Sequence, residues 1–209
     1  MNMDYKDYVK MVAEKIDKID SLDDMLSGQK VKLLLLGSHA KEAISDKYCG
    51  KRVEIGRKTD DIDLYCVDAP ILCGDEFVIP HNSCVTAELT PEKKVEIFSY
   101  ISGFDQHDNY FRTYVDEALA NGNFEKLYES ERSIIYCPTP DIWVVNKLFA
   151  YDAVGGIDRK KDLKDITEIV RALAVNPEEL KKVEQFVELM GRNELYKRTV
   201  ETKKLTDFE

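Results

Sequence analysis

The chain has 209 residues, and its 40 acidic and 30 basic side chains give a formal charge of −10. An apolar content of 44% can fill a core of ordinary density, which excludes a disordered chain of low hydrophobicity. The longest apolar run, residues 31–36, is far shorter than the roughly 20 residues of a bilayer-spanning helix, and no signal-peptide pattern is visible. We therefore expect a folded cytoplasmic protein without a membrane partner, and the acidic balance argues against general nucleic-acid coating.

The first half of the chain alternates between helical and strand periodicity. Apolar residues at helical spacing predict an amphipathic helix over residues 3–26. The run 31–36 predicts a strand buried on both faces, and a short helix follows Gly37-Ser38. The polar stretch 45–57 predicts a loop, and a second strand begins at Asp61. Further extended segments are predicted around residues 76–79, 83–89 and 94–101.

Helical patterns dominate the second half. Residues 109–121 carry a helical apolar face, residues 124–128 are a candidate continuation of it, and residues 132–137 predict one short strand. Thr139-Pro140-Asp141 combines a capping hydroxyl, a first-turn proline and a first-turn acid, which predicts a helix start. Three more helices are predicted over residues 159–174, 177–190 and 192–203.

The five cysteines and three histidines give no specific motif. The cysteines are odd in number and include no Cys-x-x-Cys pair, so we expect reduced thiols. The chain also has no Gly-x-Ser-x-Gly elbow, so nothing specific indicates a Ser/His/Asp hydrolase. A zinc site is not favoured, because the His-x-x-Cys spacing has no matching second pair; its candidate ligands are Cys66, Cys73, His81 and Cys84.

Two carboxylates at the start of the second predicted strand carry most of the chemical information. Asp61 and Asp63 are two residues apart, so on a strand both side chains point to the same face. Neighbouring carboxylates are costly without a cation, and hard oxygen ligands suit Mg²⁺, which shares its other positions with water and substrate phosphates. Gly37-Ser38 lies where a strand turns into a helix, and free backbone N–H groups at such a turn can hold a phosphate.

Glu96 is the candidate third carboxylate. It is polar between apolar neighbours in a predicted strand, so it faces away from the side of the sheet that they cover. If its strand lies beside the Asp61 strand, Glu96 completes a site for metal-assisted phosphoryl or nucleotidyl transfer, as a shared ligand or as the base for the incoming hydroxyl. The alternative is an exposed glutamate on a half-buried strand.

In this order, the motifs resemble those of the polymerase beta-like nucleotidyltransferase superfamily. The superfamily pattern is an apolar strand, Gly-Ser or Gly-Gly, a helix, and Asp-x-Asp on the next strand. Residues 57–64, Arg-x-Thr-x-Asp-Ile-Asp-Leu, are similar to the form in its abortive-infection toxin branch. Residues 147–150 are similar to the Lys-Leu-x-Ala helix of that branch. Residues 161–165 are similar to its Lys-Asp-x-x-Asp segment. The chain departs from the pattern because 22 residues separate Ser38 from Asp61, about twice the usual number.

The resemblance implies an α/β (α+β) fold, with a small mixed nucleotidyltransferase sheet flanked by helices. Residues 1–108 would form the nucleotidyltransferase core with the N-terminal helix, and residues 109–209 a mainly helical part that completes the cleft. The implied reaction moves a nucleoside monophosphate from a Mg²⁺-bound NTP, with Mn²⁺ as the alternative metal, to an acceptor hydroxyl on RNA, a protein or a small molecule. A toxin of this branch would also need a neutralising antitoxin partner.

Roles follow for the matching residues. Asp61, Asp63 and Glu96 would hold the metal, and Gly37 and Ser38 would cradle the terminal phosphates. Lys147 would balance charge on the leaving pyrophosphate, because a cation on an apolar helix face is costly unless it meets an anion. The remaining nucleotide-binding candidates are Thr59, Lys161 and Asp162, with Thr59 supporting the Asp61 turn through hydroxyl-to-backbone bonding.

Two alternatives remain at this point. In the functional interpretation, Asp162 and Asp165, three apart on one helix face, could orient Lys147 or Arg159. The alternative is that Lys147 extends its ammonium to solvent and that Lys160, Lys161 and Lys164 form a hydrated helix surface. The other alternative concerns the whole protein, which could keep the fold as a nucleotide-binding or regulatory protein without turnover.

Overall fold

The computed structural model describes residues 3–20, 22, 27–55, 59–67, 72, 78–81, 84–99, 106–153 and 159–201. In chain order the elements are α1 (Tyr5–Ile16), β1 (Val31–Leu35), α2 (Gly37–Tyr48), β2 (Asp61–Tyr65), β3 (Val78–His81), β4 (Cys84–Thr90), β5 (Lys93–Phe98), α3 (Gln106–Ala120), β6 (Glu125–Glu129), β7 (Ser133–Cys137), α4 (Pro140–Ala153), α5 (Lys160–Ala172), a short 3-10 helix (Leu173–Val175), α6 (Pro177–Leu189) and α7 (Asn193–Glu201). The predicted mixed α/β fold, with helices concentrated in the C-terminal half, is confirmed.

The strands form one mixed sheet in the order β3-β4-β5-β2-β1-β7-β6. Strand β1 pairs antiparallel with β2 and parallel with β7, and β2 pairs parallel with β5. Leu33, Leu34 and Leu35 of β1 are completely buried, which explains why this strand is apolar except at Lys32. The strand predicted to be buried on both faces is therefore a central strand of the sheet.

The chain divides into two compact units, which we call the sheet unit and the helical unit. The sheet unit comprises the described parts of residues 1–40, 56–100 and 116–138, and it contains every strand of the sheet. The helical unit comprises the described parts of residues 41–55, 101–115 and 139–209, and it contains α4 to α7. The β6–β7 hairpin therefore belongs to the sheet unit although it lies late in the chain. Among the described residues, no helix combines the length and apolar character needed to cross a membrane.

The first helix is shorter than predicted, because α1 ends at Ile16 and not near residue 26. The carboxylate of Asp17 accepts hydrogen bonds from the Ser130 hydroxyl at 2.7 Å and from the Arg132 backbone N–H at 2.9 Å. The Arg132 guanidinium donates to the carbonyl oxygens of Asp17 at 2.9 Å and Ile19 at 2.8 Å. The chain after α1 is thus tied to the β6–β7 turn. Residues 21 and 23–26 of the predicted helix lie outside the described residues.

Two other predicted elements were wrong. Helix α2 continues to Tyr48, so residues 45–48 are helical where the sequence predicted a loop. Its end is held by Ser45, whose hydroxyl donates to the Glu42 carbonyl at 2.9 Å and accepts from the Val53 N–H at 2.7 Å. Residues 125–129 form strand β6 and not a continuation of α3, because Gly122 at φ +67° ends the helical path and β6 finds its hydrogen-bond partners in β7.

Candidate functional site

The register between two parallel strands brings the three predicted carboxylates together. Strand β5 lies beside β2, with Asp61 opposite Lys94 and Asp63 opposite Glu96. Side-chain oxygens of Asp61, Asp63 and Glu96 all lie within 4.8 Å of one another, and all three residues are partly exposed. Strand β5, which carries Glu96, therefore lies beside the Asp61 strand, as the prediction of a third carboxylate required. We call these three residues the acidic triad.

The opposite face of the same two strands explains why the acidic triad points outward. Ile62, Leu64, Val95 and Ile97 alternate with the acidic residues and are completely buried. Because side chains alternate between the faces of a strand, burial of this apolar set fixes the carboxylates on the other face. A slip of one residue in either strand would bury a carboxylate, so the core itself sets the register of the site.

Gly37 forms the other side of the site. The Leu36 N–H donates to the Asp63 carbonyl at 2.8 Å, and Gly37 then takes φ +60° at the start of α2. A Cβ atom at position 37 would lie 2.0 Å from Oδ2 of Asp63, so a residue other than glycine fits only if this carboxylate moves. Ser38 follows in the first turn of α2. The strand-to-helix turn is thus packed directly against the acidic triad.

The chemistry of these donors fits a small divalent cation. Three carboxylates offer hard oxygen ligands, the kind that Mg²⁺ and Mn²⁺ prefer. Oxygens on opposite sides of a cation with bonds of about 2.1 Å are about 4.2 Å apart, so a spread within 4.8 Å requires only small side-chain rotations. The positive end of α2 and its first N–H groups suit an anion beside such a cation.

The acidic triad contributes to the pKa values of two neighbouring side chains. Hydrogen bonding and attraction to Glu96, with a smaller contribution from Asp61, raise the pKa of Lys94. Burial raises the pKa of the Cys84 thiol to about 11, and the charges of Glu96 and Asp63 add to this effect. The negative potential of the triad therefore reaches β4, the next strand of the sheet.

The thiol of Cys84 gives a direct test of that potential. Glu96→Gln is expected to lower the pKa of Cys84, because it removes one of the charges that disfavour the thiolate. The titration can be followed by NMR of ¹³Cβ-labelled cysteine, with the Cys84 signal assigned from its loss in Cys84→Ala. Cys49 is the internal control, since burial, partly opposed by the charge of Lys51, raises the pKa of its thiol to about 11. Equal shifts of both thiols, or no shift of either, would contradict the argument.

The same thiols predict an alkaline limit of stability. Both pKa values rise on folding from 9.0 to about 11, so the folded chain binds these protons more tightly than the unfolded chain between those values. The contribution to stability is complete below about pH 9 and is lost as the pH rises toward 11. The titration must therefore be accompanied by a fold check, such as circular dichroism, at each pH.

Thr59 belongs to a second cluster in the sheet unit. Its hydroxyl accepts from the Lys93 ammonium at 2.7 Å and lies 3.2 Å from Nε2 of His39, and its carbonyl also accepts from Lys93. The Lys93 ammonium lies 5.2 Å from the centre of the Tyr8 ring, and that ring lies 5.3 Å from the His39 ring. Thr59 thus supports the start of β2 through side-chain partners, where the sequence predicted a hydroxyl-to-backbone bond.

Lys93 and Lys94 were missed as site residues by sequence reasoning. They are consecutive in β5, so their side chains leave the strand on opposite faces. Lys93 binds Thr59, and Lys94 binds the Glu96 carboxylate. The signal in the sequence was a pair of lysines two and three residues before Glu96, but its meaning depends on the pairing of β5 with β2.

The three remaining predicted site residues lie in the helical unit. Lys147 is 4% exposed, and its ammonium lies 2.5 Å from Oδ1 of Asp162 and 3.4 Å from Oδ2 of Asp165. Asp162 is completely buried and also binds Arg159. The alternative in which Lys147 extends to solvent is therefore wrong, and the two aspartates orient Lys147 and Arg159 as expected. Lys161 is exposed in the first turn of α5.

The helical unit extends this charge network with a second buried lysine. The Lys41 ammonium lies 3.0 Å from Oδ1 of Asp165 and 2.5 Å from Oε2 of Glu168. Asp165 therefore lies between Lys41 and Lys147, and α5 supplies the carboxylates. The Lys147 ammonium also lies 5.6 Å from the centre of the Trp143 ring. A buried ammonium requires an anionic partner, and Asp162 and Asp165 provide it for Lys147.

The structure thus brings Gly37 and the acidic triad together in the sheet unit, and it pairs Lys147 with Asp162 in the helical unit. Of the residues considered for zinc, Cys66 and Cys84 are buried, whereas Cys73 and the side chain of His81 lie outside the described part of the chain. Comparison with models of known protein families gives no match, and none of the curated proteins compared with the chain is similar to it.

Proposed function

We propose that this protein is a metal-dependent nucleotidyltransferase that moves a nucleoside monophosphate from an NTP to an acceptor hydroxyl. One observation carries the proposal: three carboxylates from adjacent strands converge on one face, directly beside a strand-to-helix turn that requires glycine. Carboxylates at this spacing are suited to a divalent cation, and the turn is suited to the phosphates that such a cation accompanies. This combination favours chemistry on a phosphate over a purely structural acidic patch.

The proposed reaction is a displacement at the α-phosphorus of the NTP. The acceptor oxygen forms a bond to the α-phosphorus while the bond from that phosphorus to the bridging oxygen of the β-phosphate breaks, and pyrophosphate leaves. A divalent cation, when bound, supplies positive charge that stabilises the developing negative charge on the phosphate oxygens. Asp61 and Asp63 hold that cation in this scheme. Glu96 shares it or accepts the proton of the acceptor hydroxyl.

The other residues of the sheet unit position these groups. Gly37 lets the backbone approach Asp63, and the first N–H groups of α2 at Gly37 and Ser38 bind phosphate oxygens. Lys93 and Thr59 fix the chain just before Asp61. Nucleotidyl transfer depends on positioning and electrostatic stabilisation more than on covalent chemistry of the protein, which is why such a small set is sufficient.

The partners in this proposal are an NTP and an acceptor hydroxyl on RNA, a protein or a small molecule. The resemblance to the toxin branch adds an antitoxin as a further proposed partner. Roles of Lys147, Lys161 and Asp162 in binding the nucleotide stay predictions from the sequence.

The experiment that tests this proposal removes the two aspartates. Asp61→Asn with Asp63→Asn is expected to abolish metal-dependent NTP binding in isothermal titration calorimetry and to lower labelled pyrophosphate release with bulk RNA or cell extract roughly 100-fold or more, since both metal ligands are lost. Glu131→Gln, in the exposed β6–β7 turn, is the matched control and should behave as the unmodified chain.

Two results would argue against the proposal. If the unmodified chain binds no NTP in the presence of Mg²⁺ or Mn²⁺, the nucleotidyltransferase proposal fails. If binding requires the metal and both aspartates, yet no acceptor receives a nucleotide, the non-catalytic nucleotide-binding protein becomes the better account.

A further inference from the structure

We propose that Lys94 is the resident counter-ion of the acidic triad, and that a divalent cation drives it from Glu96 to the phosphates of the nucleotide. This inference rests on the proposed function. It assigns a role to a residue that was not among the site residues predicted from the sequence. It makes Lys94 a residue with two alternating partners, one in the metal-free site and one in the site loaded with metal and nucleotide.

The register of β2 and β5 places four charged groups on one face. Asp61 lies opposite Lys94, and Asp63 lies opposite Glu96. The four residues therefore form a square, with Lys94 at one corner and the acidic triad at the other three. The ammonium binds Oε1 of Glu96. Within this square, one ammonium stands beside three carboxylates.

A divalent cation on the triad would weaken the bond between Lys94 and Glu96. The cation and the ammonium would share the Glu96 carboxylate or its immediate neighbourhood, where like charges a few ångströms apart repel each other. Lys94 can respond because its side chain is 49% exposed and carries the ammonium at the end of a flexible four-carbon chain. Glu96, at 22% exposed, is the less mobile partner. The ammonium, and not the carboxylate, is the group that moves.

The displaced ammonium stays on the face that receives the nucleotide. Its backbone position opposite Asp61 is fixed by the β2–β5 pairing and by the hydrogen bond from the Lys94 N–H to the Asp60 carbonyl at 3.0 Å. An NTP brings several negative charges to this face, and a lysine ammonium is a suitable point charge for phosphate oxygens. Lys94 therefore opposes binding of the metal alone and favours binding of the nucleotide.

These opposite effects define the experiment. Mn²⁺ alone serves as the metal probe, with bound and free ion separated by electron paramagnetic resonance, and ATP at saturating Mn²⁺ serves as the nucleotide probe in calorimetry. Lys94→Met is expected to tighten Mn²⁺ binding about threefold to tenfold and to weaken ATP binding about threefold to tenfold, the range for one partly exposed charge. Lys94→Arg keeps the charge and is expected to leave both affinities within about twofold of the unmodified chain.

Lys126→Met is the matched control. Lys126 is also 49% exposed and also pairs with a glutamate, Glu129, but it lies on β6 at the far edge of the sheet. Its substitution should change neither affinity. A general effect of net charge would instead appear in Lys94→Met and Lys126→Met alike, and that result would overturn the inference.

The outcomes separate this inference from the proposed function. If the unmodified chain binds Mn²⁺ through Asp61 and Asp63, yet Lys94→Met changes neither affinity or lowers both, the role of Lys94 is wrong and the metal site stands. If the unmodified chain binds no Mn²⁺ without nucleotide, this inference fails, whereas the proposed function is decided by NTP binding in the presence of the metal. Circular dichroism of Lys94→Met confirms that the fold is retained.

Discussion

Gly37→Ala is expected to abolish divalent-cation binding at the acidic triad and to lower the free energy of unfolding by about 2–4 kcal/mol. The new Cβ would lie 2.0 Å from Oδ2, 2.9 Å from Cγ and 3.1 Å from Cβ of Asp63, so the aspartate side chain must leave its position. Alanine also bears the cost of a backbone at φ +60°, about 1 kcal/mol. Urea unfolding measures the loss of stability, and calorimetry with Mn²⁺ measures the loss of the site.

Gly50→Ala separates the two causes. Gly50 has nearly the same backbone conformation, φ +66°, but a Cβ there would meet nothing within 4 Å. Its substitution is expected to cost only the backbone strain, about 1 kcal/mol, without an effect on Mn²⁺ binding. If Gly37→Ala binds Mn²⁺ as the unmodified chain does, Gly37 is not required beside Asp63 and the proposed phosphate turn loses its main support.

Lys147→Met is expected to destabilise the chain by about 3–5 kcal/mol. Asp162 and Asp165 have side-chain exposures of 0% and 4%, so removing the ammonium leaves two carboxylates in the interior with too little positive charge. Arg159 and Lys41 remain as partial compensation, because they contact the other oxygens of these aspartates.

A double-mutant cycle tests whether the effect comes from uncompensated charge. Adding Asp162→Asn to Lys147→Met should recover part of the lost stability, since the neutral amide no longer needs a cation. Lys182→Met is the control, because Lys182 forms an exposed pair with Glu179 in the same unit and should cost less than about 0.5 kcal/mol. A loss below about 1 kcal/mol in Lys147→Met would show that the buried pair is not important for the fold.

The sequence was informative where a local period decides the outcome. The alternation of Asp61, Ile62 and Asp63 correctly predicted a strand with two carboxylates on one face, because a period of two is a property of the strand itself. The capped start at Thr139-Pro140 similarly predicted α4, whose first residue is Pro140. These features require no knowledge of what lies beside them.

The sequence was less informative where a distant partner decides the outcome. Periodicity gives the face of Glu96 but not its neighbour, and the pairing of Asp63 with Glu96 depends on the order of strands in the sheet. The Lys93 and Thr59 contact joins positions 34 residues apart, and Lys41 meets Asp165 across 124 residues. Helix α1 ended early for the same reason, since its terminus is held by Arg132.

The parallel pairing of β1 with β7 also constrains the order of events during synthesis. Val31 pairs with Ser133, about 100 residues later. A ribosome that adds about 5–20 residues per second leaves one edge of β1 without its partner for about 5–20 s. In that interval the nascent sheet exposes a strand edge formed by Leu33, Leu34 and Leu35, the kind of surface to which other chains or chaperones bind. The addition of β7, which ends at Cys137, is therefore the step that covers this edge of β1.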